Sequence, residues 1–426
     1  MVRFGTMLTA PRLPIAVAML GSAAAMLLAS CSSSGAPAGV RGGAQPVSAQ
    51  EGSAGINITP SDRSDGVRLD SPVVVSVQSG RLQSVTLQEA GANGPLIGNM
   101  SQAGDTWRYV SGLDSNAHYT VVVTARGTNG QTSTAQASFG TLTASDRLIT
   151  SVSPGDGSTV GIGETIDLKF NTAIPDDRKA ALLQRIQVTS TPGVLGAWHW
   201  LNDSTVHFRT RDFWPSGAQV NVVANLQGFD AGGGVWGLGG WTHSFTVGAK
   251  HLSLIDSNTH QMQVFENDQL IHTWPVSLGK TGFETIDGTL TVLYKVYDVE
   301  MKSCQTFGGA ACIEGSQNWY DGHVFYDTAI STSGFYIHAA PWSVGSQGYA
   351  NVSHGCVNLS TDRAITFYNW SLVGDVVQIK NTGNLATYAS GEGDWQIDFS
   401  QYSNTSGLGA VWTGTPSVSS PSGRVF

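Results

Sequence analysis

Charged residues are scarce in this 426-residue sequence, at 12% against the about 25% typical of globular proteins. This scarcity excludes a coiled coil and a highly charged disordered chain. Basic clusters are absent too, since 22 Lys and Arg stand against 31 Asp and Glu, a formal net charge of −9, without a Lys/Arg run. Such an acidic balance argues against sequence-independent nucleic-acid binding, and we expect no nucleic-acid partner.

Long apolar runs are confined to the first 30 residues, because no later stretch reaches the roughly 20 apolar residues of a membrane-spanning helix. There, Arg3 and Arg12 accompany an apolar segment that ends at Ala29, a pattern typical of a secretory signal. The sequence Leu28-Ala29-Ser30-Cys31 resembles a bacterial lipoprotein box, which implies that Cys31 becomes the lipid-bearing first residue of the mature chain. An ordinary signal peptide is the alternative. We expect a protein outside the cytoplasm, in the periplasm or cell wall, that contacts the cell membrane through this lipid only.

Cysteine is rare as well, and three residues remain beyond the signal: Cys304, Cys312 and Cys356. Disulfides are permitted outside the cytosol, so an odd number indicates one pair and one free thiol. Cys304 and Cys312 are close enough in sequence to bridge a loop, which leaves Cys356 unpaired; separate thiols are the alternative. Because the zinc-binding patterns C-x₂-C and H-E-x-x-H are absent, we expect no metal ion.

Glycine, serine and threonine are abundant instead, and their patterning indicates β structure. Val73, Val75 and Val77 alternate as in a half-buried strand, and Asn129-Gly130 favours a tight hairpin turn. The openings at residues 56–62 and 149–156 are alike, as in two copies of a repeat of roughly 100 residues. About seven short strands per copy predict two immunoglobulin-like sandwiches, the second interrupted by a short helix around Arg178–Ile186.

Strand patterns continue beyond residue 250, where one clear helix is predicted over Thr361–Trp370, with Ser360 as its N-cap and Asp362 in its first turn. The Gly/Ser/Thr-rich C-terminus contains Trp395 and Trp412, which suggests that it packs back on the preceding domain. We therefore predict a mainly β protein with six segments: the signal peptide (1–30), a flexible tether (31–55), two immunoglobulin-like domains (56–147 and 148–249), a β-rich domain with a short helix (250–382) and an extension that packs on it (383–426).

Histidine and cysteine come together in one region, where His338 precedes the segment Ser353-His354-Gly355-Cys356-Val357-Asn358. A free exported thiol beside histidines suggests a nucleophile, because imidazole can accept the thiol proton and the thiolate is the reactive form. Gly355 allows a tight turn in which successive backbone N–H groups converge on a developing oxyanion. The residues alone predict a Cys/His acyl-transfer site.

Each of these residues also has an alternative interpretation. His338 could be a buried, hydrogen-bonded histidine, and Cys356 could be an inert buried thiol. His354 and Cys356, two positions apart, could also bind Zn²⁺ together with His338.

The segment from Ser353 to Asn358, together with His338, resembles the signature of the L,D-transpeptidase catalytic domain. The stretch 276–280 and the Thr-Gly-x-x-Thr sequence after it, residues 281–285, resemble the upstream motif of that family. The similarity spans roughly residues 250–380, and the preceding tether and paired immunoglobulin-like modules resemble the mycobacterial-type members. The resemblance implies a cysteine acyltransferase that needs no cofactor.

The resemblance also implies a role for each site residue. Cys356 corresponds to the nucleophile and His338 to the general base, while His354, Gly355 and Cys356 shape the oxyanion hole. The implied substrate-binding residues are Tyr320, Ser333, Gly334, Asn358 and Met301, of which Met301 lies on a loop that covers the groove together with Cys304 and Cys312. A core aromatic, a turn and a gap-filling methionine are the corresponding structural alternatives.

One position departs from the family pattern, because Ala339 stands where close members carry serine after the base histidine. Alanine is sufficient there if the backbone carbonyl orients the imidazole, whereas activity is in doubt if the hydroxyl is needed.

The implied reaction is the formation of 3→3 peptidoglycan cross-links between a donor and an acceptor stem peptide. The nucleophile takes the acyl group of the third stem residue, expels D-alanine and passes the acyl group to the amine of a diamino acid. Carbapenems are expected to acylate the same cysteine. The alternatives are an L,D-carboxypeptidase that uses water as acceptor and a non-catalytic cell-wall-binding surface protein.

Overall fold

The computed structural model describes residues 52–316, 318–387 and 393–414. The predicted signal peptide, the lipidation residue Cys31 and most of the predicted tether lie outside the described residues. Within the described residues, no helix is long and apolar enough to cross a membrane. The fold is mainly β, as the sequence predicts.

The first eight strands form two four-stranded sheets that enclose one core, with the strand orders β1-β3-β6-β5 and β2-β8-β7-β4. Their bounds are β1 Gly55–Thr59, β2 Ser64–Val67, β3 Val73–Gln78, β4 Gly80–Glu89, β5 Asn99–Met100, β6 Thr106–Tyr109, β7 His118–Gly127 and β8 Thr132–Thr141. Val73 and Val75 are fully buried, as their alternation predicts. Gly130, at a φ of 81°, lies in the turn between β7 and β8, where the sequence predicts a hairpin.

The second sandwich has its own core, which includes Trp198, Phe208 and Trp214. Its elements are β9 Asp146–Arg147, β10 Thr150–Ser153, β11 Ser158–Val160, β12 Ile166–Phe170, α1 Asp176–Leu183, β13 Ile186–Thr191, β14 Leu195–Asn202, β15 Thr205–Thr210, β16 Gln219–Asn225, β17 Asp230–Gly232, β18 Val235–Trp236 and β19 Gly240–Val247. Its two main sheets contain β10-β12-β15-β14 and β11-β19-β16-β13. The predicted helix is displaced toward the N-terminus, because α1 starts directly after Pro175 and Ile186 already begins β13.

The third domain joins a six-stranded sheet, β22-β21-β20-β28-β23-β29, to a four-stranded sheet, β24-β25-β26-β27, around one core. Its elements are β20 His251–Asp256, β21 Gln261–Glu266, β22 Gln269–Pro275, β23 Ile286–Thr291, β24 Tyr294–Lys302, α2 Ser303–Phe307, β25 Asp321–Ala329, β26 Tyr336–Ala339, β27 Val357–Leu359, α3 Thr361–Trp370, β28 Val376–Lys380 and β29 Asn384–Leu385. The bounds of α3 match the predicted helix. Ser360 precedes α3, but its hydroxyl donates to the Asp362 carboxylate at 2.6 Å rather than accepting from a backbone N–H.

The described C-terminal segment, residues 393–414, contains α4 (Phe399–Tyr402) and β30 (Ala410–Trp412). Most of this segment packs on the second sandwich. β30 pairs with β14 and becomes the fifth strand of that sheet, with Trp412 opposite Leu195. The indole N–H of Trp395 donates to the carbonyl of Gly163 at 2.8 Å. The prediction that residues 383–426 pack on the third domain is therefore wrong for most of the described stretch 393–414, whereas Asn384–Leu385 pair with β23 of the third domain as predicted.

Two physical reasons account for that placement. β14 is otherwise an edge strand, and β30 satisfies its exposed backbone groups. In addition, the buried carboxylate of Asp394 hydrogen-bonds His207 at 3.0 Å and the Tyr402 hydroxyl at 2.7 Å. The third domain is also contacted, since the side-chain amide of Gln396 donates to the carbonyl of Thr289 on β23.

Candidate active site

Two adjacent parallel strands bring the predicted base and nucleophile together. β26 and β27 pair so that His338 lies opposite Asn358 and Ile337 lies opposite Val357. Cys356, directly before β27, and Asn358 line the same groove. Ile337 and Val357 point the other way and are buried in the domain core. The core thereby fixes the strands whose opposite face carries the polar residues.

His338 is buried and held in one orientation by the backbone. Its Nδ1 lies 3.0 Å from the carbonyl oxygen of Ala339, which can only accept a hydrogen bond. The proton therefore resides on Nδ1, and Nε2 keeps its lone pair. Burial lowers the pKa of His338 to about 4, against the opposing effects of the Ala339 carbonyl and the Asn358 side chain. The contact uses a backbone oxygen, so it does not require a hydroxyl at position 339.

The turn before β27 is fixed by two hydroxyl groups. Ser353 Oγ donates to the carbonyl of Cys356 at 2.6 Å and accepts the N–H of Gly355 at 3.1 Å. Thr285 Oγ1 donates to the carbonyl of Gly355 at 2.6 Å and accepts the N–H of Gly279 at 2.9 Å. The predicted convergence of N–H groups on a substrate therefore needs a correction, because the N–H of Gly355 is used inside the turn.

Glycine is required at position 355 for two reasons. Its φ of 127° lies in the region that L side chains rarely adopt, and a Cβ there would come within 2.8 Å of the Phe335 ring. A larger residue would therefore displace Cys356, the next residue along the chain.

The Cys356 thiol is neutral at rest. It is half-buried, and its Sγ lies 3.8 Å from the carbonyl oxygen of Gly334. Burial raises the pKa of Cys356 to about 12, the backbone N–H of Tyr336 opposes this rise, and the charge of Asp327 adds to it. Because the pKa of His338 is low and that of the thiol is high, the two groups rest as a neutral pair rather than as an ion pair.

His354 lies among aromatic rings and lines the same groove as the thiol. Its ring centre is 4.8 Å from that of Phe283, 5.0 Å from that of Tyr320 and 6.1 Å from that of Phe307. Burial, and secondarily the charge of Lys280, lowers the pKa of His354, so the ring is uncharged at neutral pH. His354 therefore forms part of the uncharged lining of the groove and is not a charged partner of the thiol.

A groove of about 760 Å³ opens onto the thiol, a size suited to a peptide or a drug-like molecule. Among its lining residues are His338, His354 and Cys356 and all five predicted substrate-binding residues, Tyr320, Ser333, Gly334, Asn358 and Met301. Met301 lies in β24, paired with Gly322, and not on a covering loop as expected. Asn358 is also buried, and its amide donates to Ser343 Oγ at 3.1 Å. It therefore holds the floor of the groove beside the base.

A short covering segment, Ser303–Ser316, contributes α2 to one side of this groove. Cys304 and Cys312 form a disulfide there, which confirms the predicted pair, and Cys356 is the free cysteine of the described residues. Ser303 is buried; its hydroxyl donates to the carbonyl of Ala311 at 2.7 Å and accepts the N–H of Tyr320 at 2.9 Å. The Ser303 hydroxyl thus holds the start of the segment to Tyr320 and Ala311, and the disulfide links Cys304 to Cys312.

Several residues of the site were not assigned a role from the sequence. Thr285 and Ser353 stand within the recognised motifs, so their presence was visible, but the groups that they bind depend on the fold. Phe307 and Trp342 also line the groove, but no sequence motif marked them as site residues. Within the described part of the chain, no group of three or more His, Cys, Asp or Glu residues could hold a metal ion.

Comparison with known families gives two matches. The bacterial Ig domain family matches residues 64–230, and the L,D-transpeptidase catalytic domain family matches residues 250–379. The second match contains every residue of the groove named above, from Thr285 to Asn358.

Full-length relatives extend this similarity. L,D-transpeptidase 2 of Mycobacterium tuberculosis (strain CDC 1551 / Oshkosh) is 36% identical over 342 residues, which cover 80% of this chain and 82% of the relative. L,D-transpeptidase 5 of Mycobacterium tuberculosis (strain ATCC 25618 / H37Rv) is 29% identical over 361 residues, 83% of this chain and 77% of the relative. A solved structure, LD transpeptidase LdtMt1 in complex with imipenem, is 30% identical and covers 55% of this chain and 99% of its own, with a TM-score of 0.47.

Proposed function

The chain belongs to the L,D-transpeptidase family, and from this we propose that it forms 3→3 cross-links between peptidoglycan stem peptides through a Cys356 acyl-enzyme. The observation that carries the proposal is the arrangement of Cys356 and His338 in one groove, with the imidazole oriented by the Ala339 carbonyl. The family membership gives the reaction type, and this arrangement gives each residue a role.

In the first step, Cys356 Sγ attacks the carbonyl carbon of the third residue of a tetrapeptide donor stem. His338 Nε2 accepts the thiol proton as the C–S bond forms, because the resting pair is neutral. The tetrahedral intermediate collapses, His338 returns the proton to the departing nitrogen, and D-alanine leaves. The products are a thioester on Cys356 and free D-alanine.

The oxyanion of that intermediate needs hydrogen-bond donors near the thiol. The N–H of Gly355 is bound to Ser353 Oγ, and so we assign the donor role to the N–H of Cys356, directly before β27. Ser353 and Thr285 support this donor indirectly, because each binds a carbonyl of the turn.

In the second step, the side-chain amine of a diamino acid on an acceptor stem attacks the thioester. His338 Nε2 accepts a proton from the amine as the C–N bond forms, and it passes this proton to the sulfur as the C–S bond breaks, which regenerates the thiol and the neutral base. Water in place of the amine would give an L,D-carboxypeptidase. A carbapenem would acylate the same Sγ through its strained β-lactam carbonyl, and the opened ring would stay attached.

The substrate also bears on location. Peptidoglycan lies outside the cytoplasm, and the lipoprotein box ending at Cys31 would tether the enzyme to the outer face of the membrane. The two sandwiches would then act as spacers between the lipid and the groove.

The test is mass spectrometry of the products formed from a purified disaccharide-tetrapeptide. A cross-linked dimer with release of D-alanine supports transfer, whereas monomeric tripeptide alone indicates a carboxypeptidase. The absence of both products, together with an unmodified mass after incubation with a carbapenem, would indicate the non-catalytic binding protein. The matched control is Cys356→Ala, which should give neither product nor adduct.

A further inference from the structure

β25 carries an irregularity directly opposite the proposed base. Phe325 pairs with Ala339 and Thr328 pairs with Ile337, so two residues, Tyr326 and Asp327, stand against the single residue His338. Tyr326 has a φ of 58°, as expected of a bulge that forces one residue out of extended geometry. Bulges often redirect a side chain beside an active site, and this one determines where Asp327 lies.

Asp327 is a buried acid without a partner among the described residues. Its exposed fraction is 0%, and neither carboxyl oxygen has a hydrogen-bond partner there. Burial, and secondarily the like charge of Asp298, raises the pKa of Asp327 to about 7. A buried carboxylate without a hydrogen bond is costly, so a fold that places one opposite its proposed base invites a functional explanation.

The charge of Asp327 reaches the reactive centre. It raises the pKa of Cys356, second in size to burial among the effects that do so. The backbone N–H of Tyr336 hydrogen-bonds the same sulfur. The charge of Asp327 also raises the pKa of the Tyr336 phenol, although burial, Tyr294 and Cys356 have larger effects on it. The sheet order β24-β25-β26-β27 places Asp327 opposite His338 and two strands away from the strand that follows Cys356.

The titratable groups around Asp327 come from four elements. β24 supplies Asp298, bound to His323 at 2.6 Å, and Lys295, whose Nζ donates to two carbonyls at the end of α3. β26 supplies Tyr336 and His338, and the turn before β27 supplies Cys356. α3 supplies Tyr368, whose ring packs edge-on against that of Tyr326 with ring centres 5.9 Å apart. Hydrogen bonding to Asp298 raises the pKa of His323 from its ordinary value of 6.5, so His323 is a second candidate for titration near neutral pH.

We propose that Asp327 is a positioning residue that controls the reactivity of the Cys356 thiol through its charge: the neutral carboxyl permits thiolate character, and the carboxylate opposes it. Around pH 7, where Asp327 loses its proton, the reactivity of Cys356 would therefore rise less steeply with pH than that of an ordinary thiol. The consequence for acyl transfer rests on the proposed function, but the effect on the thiol does not.

The experiment measures the reaction of Cys356 in the full chain with 4,4′-dithiodipyridine, which reacts with thiols across acidic and neutral pH. The rate measured with Cys356→Ala is subtracted, so that any contribution from Cys31 is removed. The ratio of the Asp327→Asn rate to the wild-type rate should be about one at pH 5.5 and about ten at pH 8.5, because a like charge that raises a pKa by about one changes the thiolate population about tenfold. The midpoint should lie near pH 7.

A ratio that stays constant with pH would overturn the proposal, since a purely structural role affects both pH values alike. A ratio that falls as pH rises would also overturn it, because it would show that the carboxylate assists the thiol. Thr328→Val is the packing control, since it alters a neighbouring buried residue without changing charge, and should follow the wild type. His323→Asn should retain the wild-type inflection near pH 7; its disappearance would assign the titration to His323 instead.

Thermal unfolding provides a second measurement that does not depend on reactivity. Asp327 has a higher pKa in the folded state than its ordinary value of 3.8, so the folded protein binds a proton that the unfolded chain has lost. The stability of the wild type relative to Asp327→Asn should therefore fall between about pH 4 and pH 7 and then level off. A stability difference independent of pH would contradict burial of an ionisable carboxyl at this site.

Discussion

The turn Ser353–Asn358 and the covering segment Ser303–Ser316 border the same groove but are built in opposite ways. The turn is largely buried. The Thr285 and Ser353 hydroxyls each donate one hydrogen bond and accept another, and these four bonds fix the backbone of the turn and that of Gly279. The covering segment is mostly exposed, with Ile313 64% accessible, and is held by Ser303 and one disulfide. Reacting groups need fixed geometry, whereas a segment that admits a large substrate does not.

This difference predicts which kinetic quantity each region controls. Changes in the turn should lower the rate of acylation by any reagent, large or small. Changes in the covering segment should alter the access of large acyl donors and leave small reagents unaffected. Three predictions test the division, from the largest expected effect to the smallest.

The largest effect is expected from the reacting pair itself. Cys356→Ala or His338→Ala should lower cross-linking by about 10³-fold or more, because each removes a member of a nucleophile–base pair. The measurement is product formation from the disaccharide-tetrapeptide, with near-ultraviolet circular dichroism to show that the fold persists. Turnover of Cys356→Ala within tenfold of the wild type would disprove the nucleophile assignment.

An intermediate effect is expected from Thr285, which touches neither reacting group. Thr285→Val removes the hydroxyl that binds Gly279 and Gly355, and two buried backbone groups lose their partner. The expected cost is about 1–3 kcal/mol of stability and an acylation rate lowered about 10- to 100-fold, since a displaced turn misaligns the thiol.

Thr285→Ser is the matched control, because it keeps the hydroxyl and should retain most of the activity. The measurement is the acylation rate with both a carbapenem and a small alkylating agent. A loss confined to the carbapenem would place Thr285 with the covering segment rather than with the turn.

Much of this site was predictable because its residues are close in sequence and chemically distinctive. The pairing of Cys304 with Cys312 followed from counting thiols in an exported chain, and it is confirmed. The family was apparent from His338 and the segment around Cys356, and the comparisons confirm it. The alternation of Val73 and Val75 predicted a strand because one face of a sandwich must be apolar.

The remaining features depend on which distant residues meet. Asp327 looks like any other acid in the sequence, and only the fold reveals that it is buried in a bulge opposite His338. Trp395 indicated that the C-terminus packs on a preceding domain, but an indole ring packs on many apolar surfaces. The open edge of β14, which pairs with β30, directs this segment to the second sandwich. Gly355 was assigned a role in the oxyanion hole, yet its N–H is bound by a hydroxyl two residues away.

The smallest effect is expected from the disulfide of the covering segment. Phe307 in this segment packs edge-on against Phe283, with ring centres 4.9 Å apart, and lies beside His354. The Cys304–Cys312 bridge closes an eight-residue separation next to that ring, which restricts how far the segment can move away from the groove. Closing so short a loop constrains the unfolded chain by about 2–3 kcal/mol in the chain-entropy model.

Replacing both residues, Cys304→Ser with Cys312→Ser, should therefore change carbapenem acylation by less than about tenfold, because the bridge affects access and touches no reacting group. The rate of Cys356 with a small alkylating agent should stay at the wild-type value, since the turn that holds the thiol is tied through Thr285 and Ser353 instead. A thiol count on the denatured, unreduced wild type checks the premise: one reactive thiol besides a lipidated Cys31 supports the bridge, and three refute it. If the small reagent also slowed, the covering segment would be part of the reacting geometry, and the two regions would act as one.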